Sequence, residues 1–130
     1  MEKEIILNGF LIHDKQSLFE EINRVLMANE DWEIGESLDA LSDILYGGVG
    51  IIKGSEPIRL EWKNFAENEK CFGKAFTIKF YKEKLQHPEI FNIKLLHEKI
   101  LELQHDRGQT YMQMILEIIA EHTHIKLVKS

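Results

Sequence analysis

Three short apolar runs, each far from the next along the chain, constrain this sequence most. They are Ile5-Ile6-Leu7, closed by the turn signal Asn8-Gly9; Ile58-Arg59-Leu60-Glu61-Trp62, which alternates; and His124-Ile125-Lys126-Leu127-Val128 at the end. Their composition and flanks predict strands over about 4–8, 58–62 and 124–128. Long stretches of helical periodicity separate them. Parallel strands need such crossovers, whereas antiparallel neighbours can be joined by tight hairpins. The order strand, helices, strand, helices, strand therefore predicts an α/β domain: a small three-stranded parallel sheet with helical crossovers packed against it.

The helices have local signals of their own. Ser17-Leu18-Phe19-Glu20 has the form of a capping box, and Leu18, Ile22, Val25 and Leu26 follow at helical spacing, so a helix is predicted over 17–28. Ser37 is a plausible N-cap for a second helix, with Leu38, Leu41 and Leu45 on one face. Gly47 can end it. Beyond Trp62 the chain turns helical again, with Phe72, Phe76, Phe80, Tyr81 and Leu85 at helical intervals; Phe76, Ile78 and Phe80 also alternate, so an extended reading of that piece is open. Pro88 interrupts. Ile93, Leu96, Ile100 and Leu103 form another amphipathic run that stops near Gly108, and Thr110 can cap a last helix carrying Met114, Ile115, Ile118 and Ile119. With 130 residues and no linker or repeat, residues 1–130 read as one domain.

Charge is distributed unevenly. The chain has 22 acids against 16 lysines and arginines. Residues 25–52 contain Glu30, Asp31, Glu33, Glu36, Asp39 and Asp43 and no Lys, Arg or His, so this window alone carries the net charge of −6. Glu36, Asp39 and Asp43 are spaced three and four apart and share one side of the second helix, with Tyr46 close by. Such a patch attracts a basic surface and speeds encounter with it. The alternative is a solvated acidic face, in which Asp39 merely favours the positive end of the helix dipole.

Other chemistry finds less support. The acidic balance argues against nucleic acid and anionic membrane as partners, and no apolar run is long enough to span a bilayer. Cys71 is the only cysteine, which excludes an internal disulfide and fits a reducing cytoplasm. Met1-Glu2-Lys3-Glu4 lacks the basic start of a signal peptide, so the expected location is cytoplasmic. Gly47-Gly48-Val49-Gly50-Ile51-Ile52-Lys53-Gly54 loosely resembles a nucleotide-binding loop, but a strand rather than a helix follows; a flexible connection is the better reading. His122 and His124 could hold a metal only with a third ligand, and His122 reads better as a cation at a helix end. No pocket, nucleophile or oxyanion hole is suggested, so neither enzyme, metal nor cofactor is expected.

These residues carry a family resemblance. Ile6-Leu7-Asn8-Gly9, Gly35-Glu36-Ser37-Leu38-Asp39-Ala40-Leu41-Ser42-Asp43, Leu60-Glu61-Trp62 with Phe65, and the pair Glu117 and Glu121 resemble, in order, the first strand and turn, the signature helix, the second strand and the last helix of the barstar family. Its members are intracellular inhibitors of secreted bacterial ribonucleases. The resemblance covers roughly residues 4–73 and 108–130 and implies a protein that blocks a ribonuclease one to one, with a helix and adjoining loop that mimic phosphates. It implies Asp43 as the central carboxylate, Asp39 beside it, Gly47 as a contact, Glu117 as a peripheral contact and Glu121 as a more marginal one. Ser42 and Gly48 stand where that family carries tryptophan, and Glu33 stands at an interface tyrosine; Trp32 or Tyr46 could supply aromatic surface instead. A mostly helical insert at about 74–107 has no counterpart in short members. An immunity protein for another toxin nuclease and a non-inhibitory acidic interaction module are the alternative readings.

Overall fold

The computed structural model describes residues 2–130. Three strands, β1 (Lys3–Asn8), β2 (Ile58–Lys63) and β3 (Ile125–Lys129), form one sheet in the order β1-β2-β3, and both pairings are parallel. Each connection is a helical crossover, as the separation of the strands in sequence predicts. The first holds α1 (Lys15–Leu26) and α2 (Leu38–Leu45). The second holds α3 (Phe65–Cys71), α4 (Lys74–Lys84), α5 (Ile93–Gln104) and α6 (Tyr111–Glu121). A single 3-10 turn, Gly9–Leu11, leaves β1.

The sheet has one dry face. Ile5, Leu7, Ile58, Leu60, Trp62 and Ile125 are buried, and the core continues into Leu18, Phe19 and Ile22 of α1, Leu41, Ile44 and Leu45 of α2, and Tyr111, Ile115 and Ile119 of α6. The other face is wet and charged. Arg59 lies 3.8 Å from Glu4 and 3.5 Å from Glu61, and the Ser130 hydroxyl donates to Glu61 at 2.9 Å. These partners are solvated, so they keep the face soluble more than they stabilise it.

Several boundaries differ from the sequence expectation. Helix α1 begins at Lys15, because Asp14 is the N-cap and Ser17 is the third residue of the capping box. The Asp14 carboxylate accepts from the Ser17 amide at 2.7 Å, and the Ser17 hydroxyl accepts from the Asp14 amide at 3.0 Å. Asp14-x-x-Ser17 completes the same reciprocal pattern as Ser17-x-x-Glu20 one turn earlier, which leaves Glu20 exposed. Residues 76–81 are helical, within α4. The aromatic run that suggested one helix through Phe72 is broken at Gly73, where α3 stops and α4 starts. Strand β3 begins at Ile125, leaving His124 outside it.

The segment 74–107 is a helical hairpin. Leu96, Ile100 and Leu103 of α5 are buried but lie outside the main core, while Phe76 and Phe80 of α4 pack against that core. The Thr77 hydroxyl, fully buried, accepts from the Tyr111 amide at 2.8 Å and ties α4 to the first turn of α6. No described helix is long and apolar enough to cross a membrane.

One buried amide joins the sheet to the loops at its end. Asn68 of α3 accepts from the Trp62 indole N–H at 2.7 Å and donates to the Gly9 carbonyl at 3.1 Å. Asn68→Ala strands both groups in a site that is 1% exposed. The expected loss is about 3 kcal/mol of unfolding free energy, checked by urea denaturation; a loss under about 1 kcal/mol contradicts this role.

Candidate functional site

Helix α2 is held from beneath by three residues that the chain buries almost completely, Leu41, Ile44 and Leu45. The spacing that buries them turns Asp39 and Asp43 outward, one turn apart and exposed. The Ser37 hydroxyl caps the helix by accepting from the Ala40 amide at 3.1 Å, as expected. Neither Asp39 nor Asp43 makes an ion pair or a side-chain hydrogen bond among the described residues, and Asp43, well past the first turn, has no helix-capping role. Two like charges at this spacing oppose each other by about 0.3 kcal/mol, an effect the helix N-terminus offsets at Asp39, in the first turn, more than at Asp43.

The glycine-rich loop after α2 is anchored. Gly47 has φ +85° and its carbonyl accepts from the Gly54 amide at 3.0 Å, closing the loop at its base. At its tip Gly50, with φ +83°, passes so close to α1 that an added Cβ would meet the Leu26 carbonyl oxygen at 2.3 Å. The Gly50 amide donates to Glu30, the Asn29 side chain donates to the Gly50 carbonyl, and the Ile51 amide donates to the Leu26 carbonyl at 2.9 Å. The glycines thus serve close backbone contact with α1, and the loop is a fixed connection where the sequence suggests a flexible one. Gly47 is half-buried at its base, beside the exposed Tyr46.

Helix α6 packs beside α2. Glu36 is close enough to Tyr111, the first residue of α6, to act on its charge, and Ser42 reaches His122 at the far end, so the two helices run in the same direction. The Ser42 hydroxyl lies 3.4 Å from His122 Nε2, and the Tyr46 ring stands edge-on to the imidazole at 4.6 Å. Ser42 therefore fills a packing position against α6. His122 is 4% exposed, and desolvation, then the neighbouring His124, holds it below its usual value of 6.5 against the opposing effect of Glu121. The sequence suggests a cation at this helix end; His122 does end the helix, but its burial disfavours the charged form.

The remaining candidates are placed as follows. Glu36, Glu117 and Glu121 are exposed. Glu117 accepts from the side chain of Gln109, just before α6, and no hydrogen bond joins it to Asp39 or Asp43 among the described residues. Trp32 and Tyr46, 50% and 69% exposed, are the large aromatic surfaces near the acids. No group of three or more His, Cys, Asp or Glu side chains that could hold a metal is present among the described residues. The fold also brings Lys15 of α1 and Lys84 of α4 to a groove beside Glu36 and Asp39. These lysines are remote in sequence from the acidic window, and no local pattern announces them. No protein-family model matches this chain, and no curated protein matches it.

The depressed His122 value makes stability pH-dependent. The unfolded chain takes up the proton near pH 6.5, before the folded one, so acidification through and below that range weakens the fold, and nothing is lost above it. Denaturation at about pH 7.5 and about pH 5.5 is expected to show a smaller pH-dependent loss in His122→Gln than in the unaltered protein. Equal losses in the two proteins contradict the assignment.

Proposed function

We propose that this chain is an intracellular inhibitor of a ribonuclease, binding one to one and blocking the active site with α2 and its glycine loop. The observation that carries the reading is the pair Asp39 and Asp43: outward, unpaired, and fixed on a helix whose other face is core. A cleft built for phosphates presents arginine, lysine and histidine, which would supply the charge-assisted hydrogen bonds that this face lacks. The barstar-like signature in residues 35–43 points to the same kind of target, as does the concentration of the net charge in residues 25–52.

Asp43 is then the main anchor, with Asp39 beside it and Gly47 allowing close approach of the loop backbone. Glu36 and Tyr46 border this face. Glu117 and Glu121, on α6, serve as peripheral contacts. The protein performs no reaction and needs no metal or cofactor; it acts by steric blockade and charge mimicry in the cytoplasm. A toxin nuclease with a similarly basic cleft is the second target class, favoured by the helical hairpin that stands next to the start of α2.

Purified protein is expected to inhibit a barnase-type ribonuclease, and Asp43→Ala to weaken the complex by about 3 kcal/mol or more, with Asp39→Ala less severe. Titration calorimetry and an RNA-cleavage assay measure both. Full inhibition by Asp43→Ala would falsify the site assignment. Absence of inhibition by the unaltered protein removes this class of target.

A further inference from the structure

The acidic face has a basic neighbour that belongs to the helical hairpin. A groove of about 280 Å³ runs along the first turn of α2, with Glu36 and Asp39 on one side and Lys15, Phe80 and Lys84 on the other. The Lys84 ammonium sits 4.4 Å from the centre of the Phe80 ring and that of Lys15 sits 5.5 Å from the same ring. Two cations thus share one aromatic support, and neither has a carboxylate within ion-pairing distance among the described residues. Their proximity is unfavourable, and burial together with the charge of Lys15 holds the Lys84 amine below its usual range. Tyr111 also lines the groove. It is 1% exposed, and its hydroxyl makes no hydrogen bond among the described residues. Two unpaired ammonium groups and an unpartnered hydroxyl converge on one concave place. Glu36 and Asp39 line the same groove but pair with neither ammonium group, so both cations lack a direct counter-ion among the described residues.

We infer that this groove receives a carboxylate side chain of the inhibited nuclease, held between Lys15 and Lys84 with the Tyr111 hydroxyl donating to it. The inference rests on the inhibitor reading above, and it gives the hairpin a role: α4 carries the cationic half of a two-sign surface. A partner that presents only positive charge would meet Lys15 and Lys84 unfavourably. One that carries an acid at the matching distance from its basic cleft is admitted in a single orientation. Discrimination of this kind uses repulsion as well as attraction.

The test measures affinity for the inhibited ribonuclease with full-length Lys84→Gln, Lys15→Gln and Tyr111→Phe, beside Asp43→Ala. Lys79→Gln is the control, since Lys79 lies on α4 but lines a different groove with His13 and Cys71. Lys84→Gln and Lys15→Gln are each expected to weaken binding about tenfold, and Tyr111→Phe about threefold, with Lys79→Gln unchanged and all melting curves intact. If Asp43→Ala loses affinity but the groove variants stay within about twofold of the unaltered protein, or bind more tightly, the groove inference is overturned and the inhibitor reading stands. If the unaltered protein binds no ribonuclease, both fall.

Discussion

Everything in this molecule is arranged around a parallel sheet that is dry on one side only. Parallel strands cannot be joined by short turns, so each connection must travel the length of the sheet as helix. Parallel sheets usually have both faces covered. Here Trp62, Leu60 and Ile58 of the central strand face the helices, while Arg59 and Glu61 face water with Glu4 opposite. With three strands there is room for few helices on the dry face, and α1, α2 and α6 fill it. Helix α2 is the shortest of these; it buries Leu41, Ile44 and Leu45 and leaves Asp39 and Asp43 exposed.

Much of this was legible in the residues. Alternation and turn signals located β2, and apolar runs located β1 and β3 to within a residue or two. Ser37 and Thr110 cap the helices they were expected to cap. Where two local patterns competed, burial decided. Asp14-x-x-Ser17 and Ser17-x-x-Glu20 are both acceptable boxes, and the one that buries Ser17 and leaves Glu20 wet prevailed. The Phe76–Tyr81 piece satisfies helix and strand periodicity alike, and its hydrophobic contacts with Phe72 and Tyr111 favour the helix.

The site was legible in part. The outward position of Asp39 and Asp43 follows from an apolar face read in the sequence as Leu38, Leu41 and Leu45; in the structure Leu41 and Leu45 are buried with Ile44, and Leu38 is half-buried. What the sequence could not announce was long-range pairing. His122 meets Ser42 across eighty positions of chain, so its burial, and hence its reluctance to be charged, depends on how α2 and α6 pack. Lys15 and Lys84 meet beside Glu36 for the same reason. The glycines at 47–54 were visible as glycines, but their purpose, close passage of the loop over the end of α1, is a tertiary fact.

The anchored loop has a thermodynamic corollary. An eight-residue helix has little tendency to persist in water alone, because nucleation is unfavourable and few bonds follow it. In this protein the ordering entropy of α2 is settled during folding, by its core contacts and by the tether from Ile51 to Leu26. A visiting surface therefore finds the carboxylates already at fixed separation, and association need not wait for a conformational search. The acidic motif is consequently not a portable peptide: cut from the sheet and the tether, the same residues would be a disordered anion.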